Sequence, residues 1–266
     1  MTFQVGVFGA VLLLGALCSA KQPCTPAEIF DRPITRNHDF SRTLREAQSG
    51  NRDAQFLAAV IYETGCGVDQ DYARAAAWYR RAADMGHPGA QNNLGGLYLR
   101  GLGVDQSDRE AAKWFLRAAG DGNPAAQNNL ACMYKDGRVS AGQTEQPEPD
   151  LKEAVKWYEK SARAGYAAAE LNLGLAYFHG SGVVQDFGEA IKWFHRAAGQ
   201  GFPAAFDQLG IVYEHGWGVR RDFAAARKWY KEALARGFVQ AERDLKSLDT
   251  VDHGALPALS EQAPLQ

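Results

Sequence analysis

The sequence predicts an all-α fold in which a pair of helices is repeated five times along the chain. Five tryptophans are separated by 36, 43, 36 and 36 residues, and five tyrosines by 36, 36, 43 and 36 residues. These are Trp78, Trp114, Trp157, Trp193 and Trp229, and Tyr62, Tyr98, Tyr134, Tyr177 and Tyr213. A fixed period of this size is typical of helical repeat arrays. Since 43 is one period plus seven residues, the third repeat is predicted to carry an insertion between Tyr134 and Trp157.

The first helix of each repeat, helix A, is clearest in the stretch PGAQNNLGGLYLRG. Ala90, Leu94, Leu97 and Tyr98 lie at offsets of 0, 4, 7 and 8, which places them on one face of a helix. Gly101 then fits the left-handed position that ends many helices, as the equivalent glycines do in the other repeats.

The second helix, helix B, is predicted to begin at a capping residue seven positions before each tryptophan. These N-caps are Asp71, Ser107, Asp150, Asp186 and Asp222. Helix B carries alanines where helices must approach closely, and an aromatic pair to fill the space between repeats. Each interior tryptophan is therefore predicted to be buried. A second glycine, such as Gly122, ends the helix.

The complete pattern reads A-x-A-Q-x-N-L-G-x-x-Y-x-x-G-x-G-V, followed by D-x-x-E-A-x-K-W-F/Y-x-x-A-A-x-x-G. It resembles the Sel1-like repeat, a relative of the tetratricopeptide repeat, over about residues 53–238. The resemblance implies a right-handed α/α solenoid of antiparallel helix pairs that serves as a protein-binding scaffold. Two repeats depart from the pattern. The first has Ala58 and Ala59 in the L-G region, and the third replaces G-x-G-V with GRVSAGQTEQPEPD.

The repeat pattern also divides the chain into segments. The predicted segments are a signal peptide at 1–20, a leader at 21–38, a half-repeat at 39–52, full repeats at 53–87, 88–123, 124–166, 167–202 and 203–238, a half-repeat at 239–249, and a disordered tail at 250–266. The solenoid thus spans 39–249. The insertion between Gly137 and Asp150 has two prolines, two glycines and no apolar cluster. It is predicted to be an exposed, mobile loop.

The first twenty residues indicate export. The apolar run VGVFGAVLLLGALCSA is short for a membrane span of about 20 residues, and it ends in small residues of the kind that a signal peptidase reads. We expect cleavage after Ala20 and a secreted or periplasmic protein. An uncleaved anchor is the alternative, because the start MTFQ carries no positive charge.

Cleavage would leave three cysteines, Cys24, Cys66 and Cys132. Cys66 and Cys132 lie two repeats apart. With helix axes about 8–10 Å from one another, that separation exceeds the Cα distance of about 7 Å that a disulfide allows. Cys24 could reach Cys66, or all three thiols could remain unpaired.

Composition and motifs favour a binding protein over an enzyme. The net charge is −2, with Lys and Arg spread along the chain, so no basic stripe indicates nucleic-acid binding. The motifs GxSxG, HExxH, GxxxxGK and Ser-x-x-Lys do not occur. No catalytic residue, cofactor or metal site is predicted, and His179 and His215, at equivalent positions, are interpreted as solvent-edge histidines.

The predicted function is a monomeric adaptor that holds a protein or peptide partner and regulates an envelope signalling or cell-wall process. After signal cleavage it would have no contact with the membrane. The alternative is a cell-wall or β-lactam-active hydrolase of the cysteine-rich Sel1-like type. Those relatives carry a cysteine pair in most repeats, and this chain does not.

In helical-pair solenoids the A helices line the concave surface, so a partner is predicted to contact the helix A positions that point away from the core face. We call these positions the A-helix stripe. Its members are Phe56, Val60 and Glu63; Asn92, Gly96 and Leu99; Asn128, Cys132 and Lys135; Leu171, Leu175 and Phe178; and Asp207, Ile211 and Glu214.

The fourth repeat contributes the most distinctive part of the stripe. Leu171, Leu175 and Phe178 are predicted to form an exposed apolar strip flanked by acidic residues of the fifth repeat, which is the composition of many interaction sites. Burial of these residues against the adjacent repeat is the alternative, since helix A has two packed sides.

Overall fold

The computed structural model describes residues 38–139 and 148–253, and every regular element within these ranges is a helix. The predicted all-α helix-pair fold is confirmed. The contacts divide the chain into two compact units, Met1–Asn172 and Leu173–Gln266. The predicted signal peptide, most of the leader and the end of the tail lie outside the described residues.

Helices of type A and type B alternate along the chain. The B helices are α1 His38–Gln48, α3 Tyr72–Asp84, α5 Asp108–Gly120, α7 Leu151–Arg163, α9 Phe187–Gly199 and α11 Phe223–Ala235. The A helices are α2 Arg52–Thr64, α4 Pro88–Arg100, α6 Pro124–Lys135, α8 Ala167–His179, α10 Pro203–His215 and α12 Gln240–His253. No helix among the described residues has the length and apolar character that crossing a bilayer requires.

The predicted N-caps of the B helices are confirmed. Each of the five side chains accepts a hydrogen bond from the backbone amide three residues later, as in the bond from Glu110 N to Ser107 Oγ at 3.2 Å. The amide of each capping residue also donates to the carbonyl of the repeat tyrosine, at 2.8–3.0 Å in all five repeats. This bond closes the turn between helix A and helix B.

The insertion of the third repeat leaves that closure intact. The Asp150 amide donates to the Tyr134 carbonyl at 2.9 Å, although the connecting segment is seven residues longer than elsewhere. The start of the insertion is held, contrary to the prediction of a wholly mobile loop. Arg138 makes two hydrogen bonds to Asp108, at 2.5 and 2.9 Å, and Val139 packs against the core. Residues 140–147 lie outside the described part of the chain.

The core aromatic of each repeat is the residue after the tryptophan. These residues are Tyr79, Phe115, Tyr158, Phe194 and Tyr230, none more than 3 % exposed. The prediction that every interior tryptophan is buried is wrong: Trp114 is 3 % exposed, but the other repeat tryptophans are half-buried. Successive helical residues point about 100° apart, so only one of two adjacent aromatic rings can face helix A.

Each of the first four repeat tryptophans lies beneath a cation on the B helices, three residues later in the sequence. The distances from the cation to the ring centroid are 4.5 Å for Arg81 over Trp78, 4.9 Å for Arg117 over Trp114, 3.7 Å for Lys160 over Trp157 and 4.6 Å for Arg196 over Trp193. The outer side of helix B is therefore covered by its own long side chains.

Close approach of the two helices explains the L-G pair of helix A. A Cβ atom on Gly95 would lie 2.8 Å from the Phe115 ring, and one on Gly174 would lie 2.6 Å from the Phe194 ring. Contacts below 3.0 Å force a neighbour to move, and here that neighbour is a buried aromatic ring.

The last helix is longer than the sequence indicated. Helix α12 runs to His253, whereas the predicted half-repeat ended at residue 249. The segment from Gln240 to His253 contains no glycine or proline to end a helix, and Gly254 follows it directly.

Gly95→Ala is expected to lower the free energy of unfolding by about 1–3 kcal/mol, because the added methyl group overpacks the space occupied by the Phe115 ring. Gly120→Ala is the matched control. It is also a helical glycine, and nothing lies within 4 Å of its added Cβ, so alanine should raise stability by up to about 1 kcal/mol. Urea unfolding of both variants tests the packing, and a wild-type midpoint for Gly95→Ala would contradict it.

Candidate binding face

The A-helix stripe is partly accessible in the first three repeats. Phe56, Asn92, Leu99 and Lys135 are half-buried, while Asn128 is only 2 % exposed. The Phe56 ring stacks on the His87 imidazole with a centroid distance of 4.3 Å. That contact adds to the burial of His87, and burial lowers the pKa of its imidazole.

A continuous chain of side-chain hydrogen bonds runs across the first three repeats. Asn129 Nδ2 donates to Asn92 Oδ1 at 3.0 Å, and Asn92 Nδ2 donates to Asn93 Oδ1 at 3.1 Å. Asn93 Nδ2 donates to the Tyr79 hydroxyl at 3.0 Å, which donates to Glu63 Oε2 at 2.7 Å. Glu63 is 8 % exposed, so this chain joins the half-buried stripe to the core.

Some of these bonds connect successive A helices, each from an asparagine to the residue just before its equivalent in the preceding repeat, and we call them inter-repeat rungs. One rung is Asn129 to Asn92. The next is Asn172 Nδ2 to Asn128 Oδ1 at 2.9 Å, one repeat further along the chain. Asn92 and Asn128 were predicted as stripe residues, whereas Asn129 and Asn172 were not. The repeated Asn-Asn pairs of α4 and α6 could have pointed to them, because adjacent residues on one A helix can face different neighbours.

The cysteines differ from the expectation. Cys66 is a free thiol, so the suggested pairing of Cys24 with Cys66 is wrong. Cys132 is disulfide-bonded, so the alternative that all three thiols remain unpaired is also wrong. The Tyr158 hydroxyl lies 3.4 Å from Cys132 Sγ.

The fourth repeat does not present an exposed apolar strip, and that prediction is wrong. Leu171, Leu175 and Phe178 are 0 %, 6 % and 8 % exposed. The Phe178 ring lies 5.3 Å from that of Phe187 and 5.1 Å from that of Trp217, as measured between centroids. Helix A has packed surfaces on two sides, so an apolar residue on the stripe is drawn into the core.

Exposed histidines and stacked aromatic rings lie at the turns of the second unit. His179 and His215 are both exposed, as expected, and the His215 imidazole stacks on Trp217 at 4.4 Å. Within 38–139 and 148–253, no group of three or more His, Cys, Asp or Glu side chains is arranged to hold a metal ion.

The fifth repeat places carboxyl groups on the stripe. Asp207 is 1 % exposed and hydrogen-bonds to Asp244 of α12. Asp244 lies at the same repeat position as Asn129 and Asn172. Glu214 accepts a hydrogen bond from the Tyr230 hydroxyl at 2.6 Å, and Ile211 is half-buried between the acidic positions. This rung therefore consists of two carboxyl groups instead of two amides, and Asp244 was not among the predicted site residues.

Two adjacent carboxyl groups must share a proton or repel each other. Burial, followed by the Asp244 carboxylate, raises the pKa of Asp207 to about 8. Burial and the charge of Glu214 also raise the pKa of Asp244. The Asp207–Asp244 rung therefore holds a proton at neutral pH.

The rung should make stability depend on pH. The pKa of Asp207 is higher in the folded protein than its ordinary value of 3.8, so the folded state binds more protons. Its stabilising contribution is complete below about pH 4 and is lost as the pH rises through about 8, by up to about 1.4 kcal/mol per unit. In Asp207→Asn an amide hydrogen-bonds to Asp244, so the variant should gain stability relative to wild type between pH 5 and 8.

Urea unfolding at four pH values between 5 and 8 measures this difference. Asp105→Asn, at an exposed carboxylate in a turn, controls for the loss of one charge. Parallel pH profiles of wild type and Asp207→Asn would show that the rung carries no proton.

Comparison with protein families matches the Sel1 repeat at residues 52–87, 88–123, 124–166, 167–202 and 207–238. Among solved structures, a Sel1 repeat protein from Oxalobacter formigenes is similar, with 27 % sequence identity and a TM-score of 0.69. The match covers 84 % of this chain and 90 % of that one. No curated protein matches the sequence.

Two further structures have lower scores. A Sel1 repeat protein from Klebsiella pneumoniae subsp. pneumoniae matches with 22 % identity and a TM-score of 0.51, over 79 % of this chain and 99 % of that one. The protective antigen c5321 of uropathogenic Escherichia coli, which has an SLR fold, matches with 30 % identity and a TM-score of 0.44, over 81 % of this chain. The match spans 52 % of that antigen.

Proposed function

The chain belongs to the Sel1 repeat family, and we propose that it is an exported, monomeric adaptor that holds an extended segment of a protein partner along its A helices. Sel1 repeat scaffolds typically mediate protein–protein interaction. For this chain we add three points: the partner contacts the A helices, the bound segment is extended, and the protein is exported. We further propose that the partner belongs to an envelope signalling or cell-wall process.

The amide row of the first three repeats carries the proposal. A primary amide offers two N–H donors and two acceptor lone pairs. Asn92 and Asn93 each use two of these four, and Asn129 uses one. All three are half-buried, so the remaining donors and acceptors can bond to the alternating N–H and C=O groups of an extended peptide. Leu99 and Phe56 supply apolar contacts beside the row.

Export has two kinds of support. The first twenty residues have the apolar run and the small terminal residues of a signal peptide. Cys132 is disulfide-bonded, and disulfides persist mainly in oxidising compartments such as the periplasm or the cell exterior. We propose cleavage after Ala20 and no later contact with the membrane.

Photo-crosslinking in the source cell tests the binding face. Gly96 lies on the stripe, and the nearest atom to an added Cβ would be Arg100 Nη2 at 3.9 Å, so a photoreactive residue fits there. Gly120, at the end of a B helix, has nothing within 4 Å and is the matched control. We expect a specific crosslinked protein from position 96 and none from position 120, identified by mass spectrometry.

The double variant Asn92→Ala/Asn129→Ala gives a second measurement. The double variant removes both partners of the rung and leaves only Asn93 Oδ1 without its donor. Asn93 is half-buried, so stability should change little. The crosslink from position 96 should decrease about tenfold, as for the loss of about 1.4 kcal/mol. Equal crosslinking from positions 96 and 120 would contradict the proposed face.

The adaptor proposal also implies that the protein has no catalytic activity. Sel1 repeat proteins are generally non-catalytic scaffolds. We expect the purified protein to leave a chromogenic β-lactam intact at the rate of a buffer blank. Hydrolysis that survives repurification, and that a covalent β-lactam inhibitor removes, would favour the hydrolase alternative.

A further inference from the structure

Three carboxyl groups of the second unit meet without a cation. Asp207 and Glu214 lie seven residues apart on α10, on one face of the helix, and Asp244 reaches them from α12. We call these three residues the carboxyl cluster. Within the described part of the chain, none of the three makes an ion pair with Lys, Arg or His, whereas exposed carboxylates such as Glu242 do.

Few hydrogen-bond donors and no paired cation surround the carboxyl cluster in the described part of the chain. Asp207 is 1 % exposed, and its Oδ1 atom has no N–H or hydroxyl donor. Its Oδ2 atom has only Gln208 Nε2, at 3.5 Å. The Tyr230 hydroxyl of α11 donates its hydrogen bond to Glu214. Arg243 of α12 lowers the pKa of Asp244 through its charge but forms no ion pair with it. The proton held by the Asp207–Asp244 rung leaves one negative charge on the pair, with no counterion beside it. A partly buried charge without a counterion disfavours folding, and a bound cation would supply the missing charge.

Accessibility divides the cluster into two parts. Glu214 and Asp244 are half-buried and reachable, while Asp207 lies behind them. Ile211 is also half-buried, one helical turn from both acidic residues of α10, and offers an apolar surface for a methylene stem.

We propose that Glu214 and Asp244, supported by Asp207, form a docking point for a basic side chain of the bound protein partner. The guanidinium or ammonium group would bind the two accessible carboxylates, with its aliphatic stem against Ile211. The inference rests on the proposed adaptor function, which supplies the protein partner. It adds that the second unit recognises a basic side chain of that partner.

Docking of a cation would displace the proton that Asp207 and Asp244 share. The reaction is balanced: the protonated cluster and the basic group form a complex in which both aspartates are ionised, and one proton passes to the solvent. Affinity should therefore increase with pH, up to tenfold per unit while the empty rung remains protonated. An ordinary ion pair between ionised carboxylates and arginine would not change between pH 6 and 8.

A blocked pentapeptide with two arginines and two leucines is a suitable probe, with a second peptide that carries citrulline in place of arginine as its neutral control. Titration calorimetry at pH 7, in phosphate and in Tris, measures affinity and proton release together. We expect the arginine peptide to bind with release of close to one proton, and at least tenfold more weakly at pH 6 than at pH 8. The citrulline peptide should bind at least tenfold more weakly than the arginine peptide.

Three variants assign the effect to the cluster. Glu214→Gln keeps an acceptor for Tyr230 and should weaken binding about tenfold. Asp207→Asn keeps the hydrogen bond to Asp244 and should abolish proton release, so that affinity no longer depends on pH. Glu242→Gln removes an exposed carboxylate of α12 that lies outside the cluster. It should change neither the peptide affinity nor the proton release.

Equal binding of the two peptides, no measurable binding, or wild-type affinity in Glu214→Gln would overturn the inference. Glu214→Gln decides the question even if Asp207→Asn fails to fold, because it alters only a half-buried side chain. Crosslinking from Gly96 lies in the other unit and does not depend on the cluster, so failure of the peptide test with retained crosslinking would overturn this inference alone.

Discussion

The close approach of helix A to the aromatic residue after each tryptophan is the contact that organises every repeat. Glycine leaves room for the rings of Phe115, Phe194 and Tyr230, and the buried Ala59 and Ala131 occupy the same position in the first and third repeats. Because the aromatic ring of helix B packs directly against the backbone of helix A, this contact fixes the rotation of helix A about its axis. That constraint decides which of its remaining residues face the neighbouring repeats and which reach the surface.

The same contact links the core to the binding face. Where the central aromatic is a tyrosine, its hydroxyl extends past the small residues and meets the stripe: Tyr79 donates to Glu63, and Tyr230 donates to Glu214. Burial and neighbouring acidic groups raise the pKa of the Tyr230 hydroxyl, so it remains a donor. A packing residue thereby orients a carboxylate of the proposed binding surface, and the fold and the site share one network.

The third repeat shows how a scaffold of this type accepts an insertion. The amide of the capping residue Asp150 still donates to the Tyr134 carbonyl, and the Asp150 side chain still caps α7. Both ends of the helix pair are fixed by local bonds, so the extra residues add length to the connection without altering the pair. Arg138 then ties the start of the insertion to Asp108 at the beginning of α5.

The sequence by itself determined the repeat period, the helix pairs, the capping residues and the family, because each depends on local periodicity and on backbone hydrogen bonds within a few residues. It could not determine which of two adjacent residues faces a neighbour. Phe178 and Leu171 were therefore expected on the surface but are buried, while Asn129 and Asp244 were missed. Only tertiary packing brought Asp244 to Asp207, 37 residues away in sequence, and burial then set the protonation of that pair.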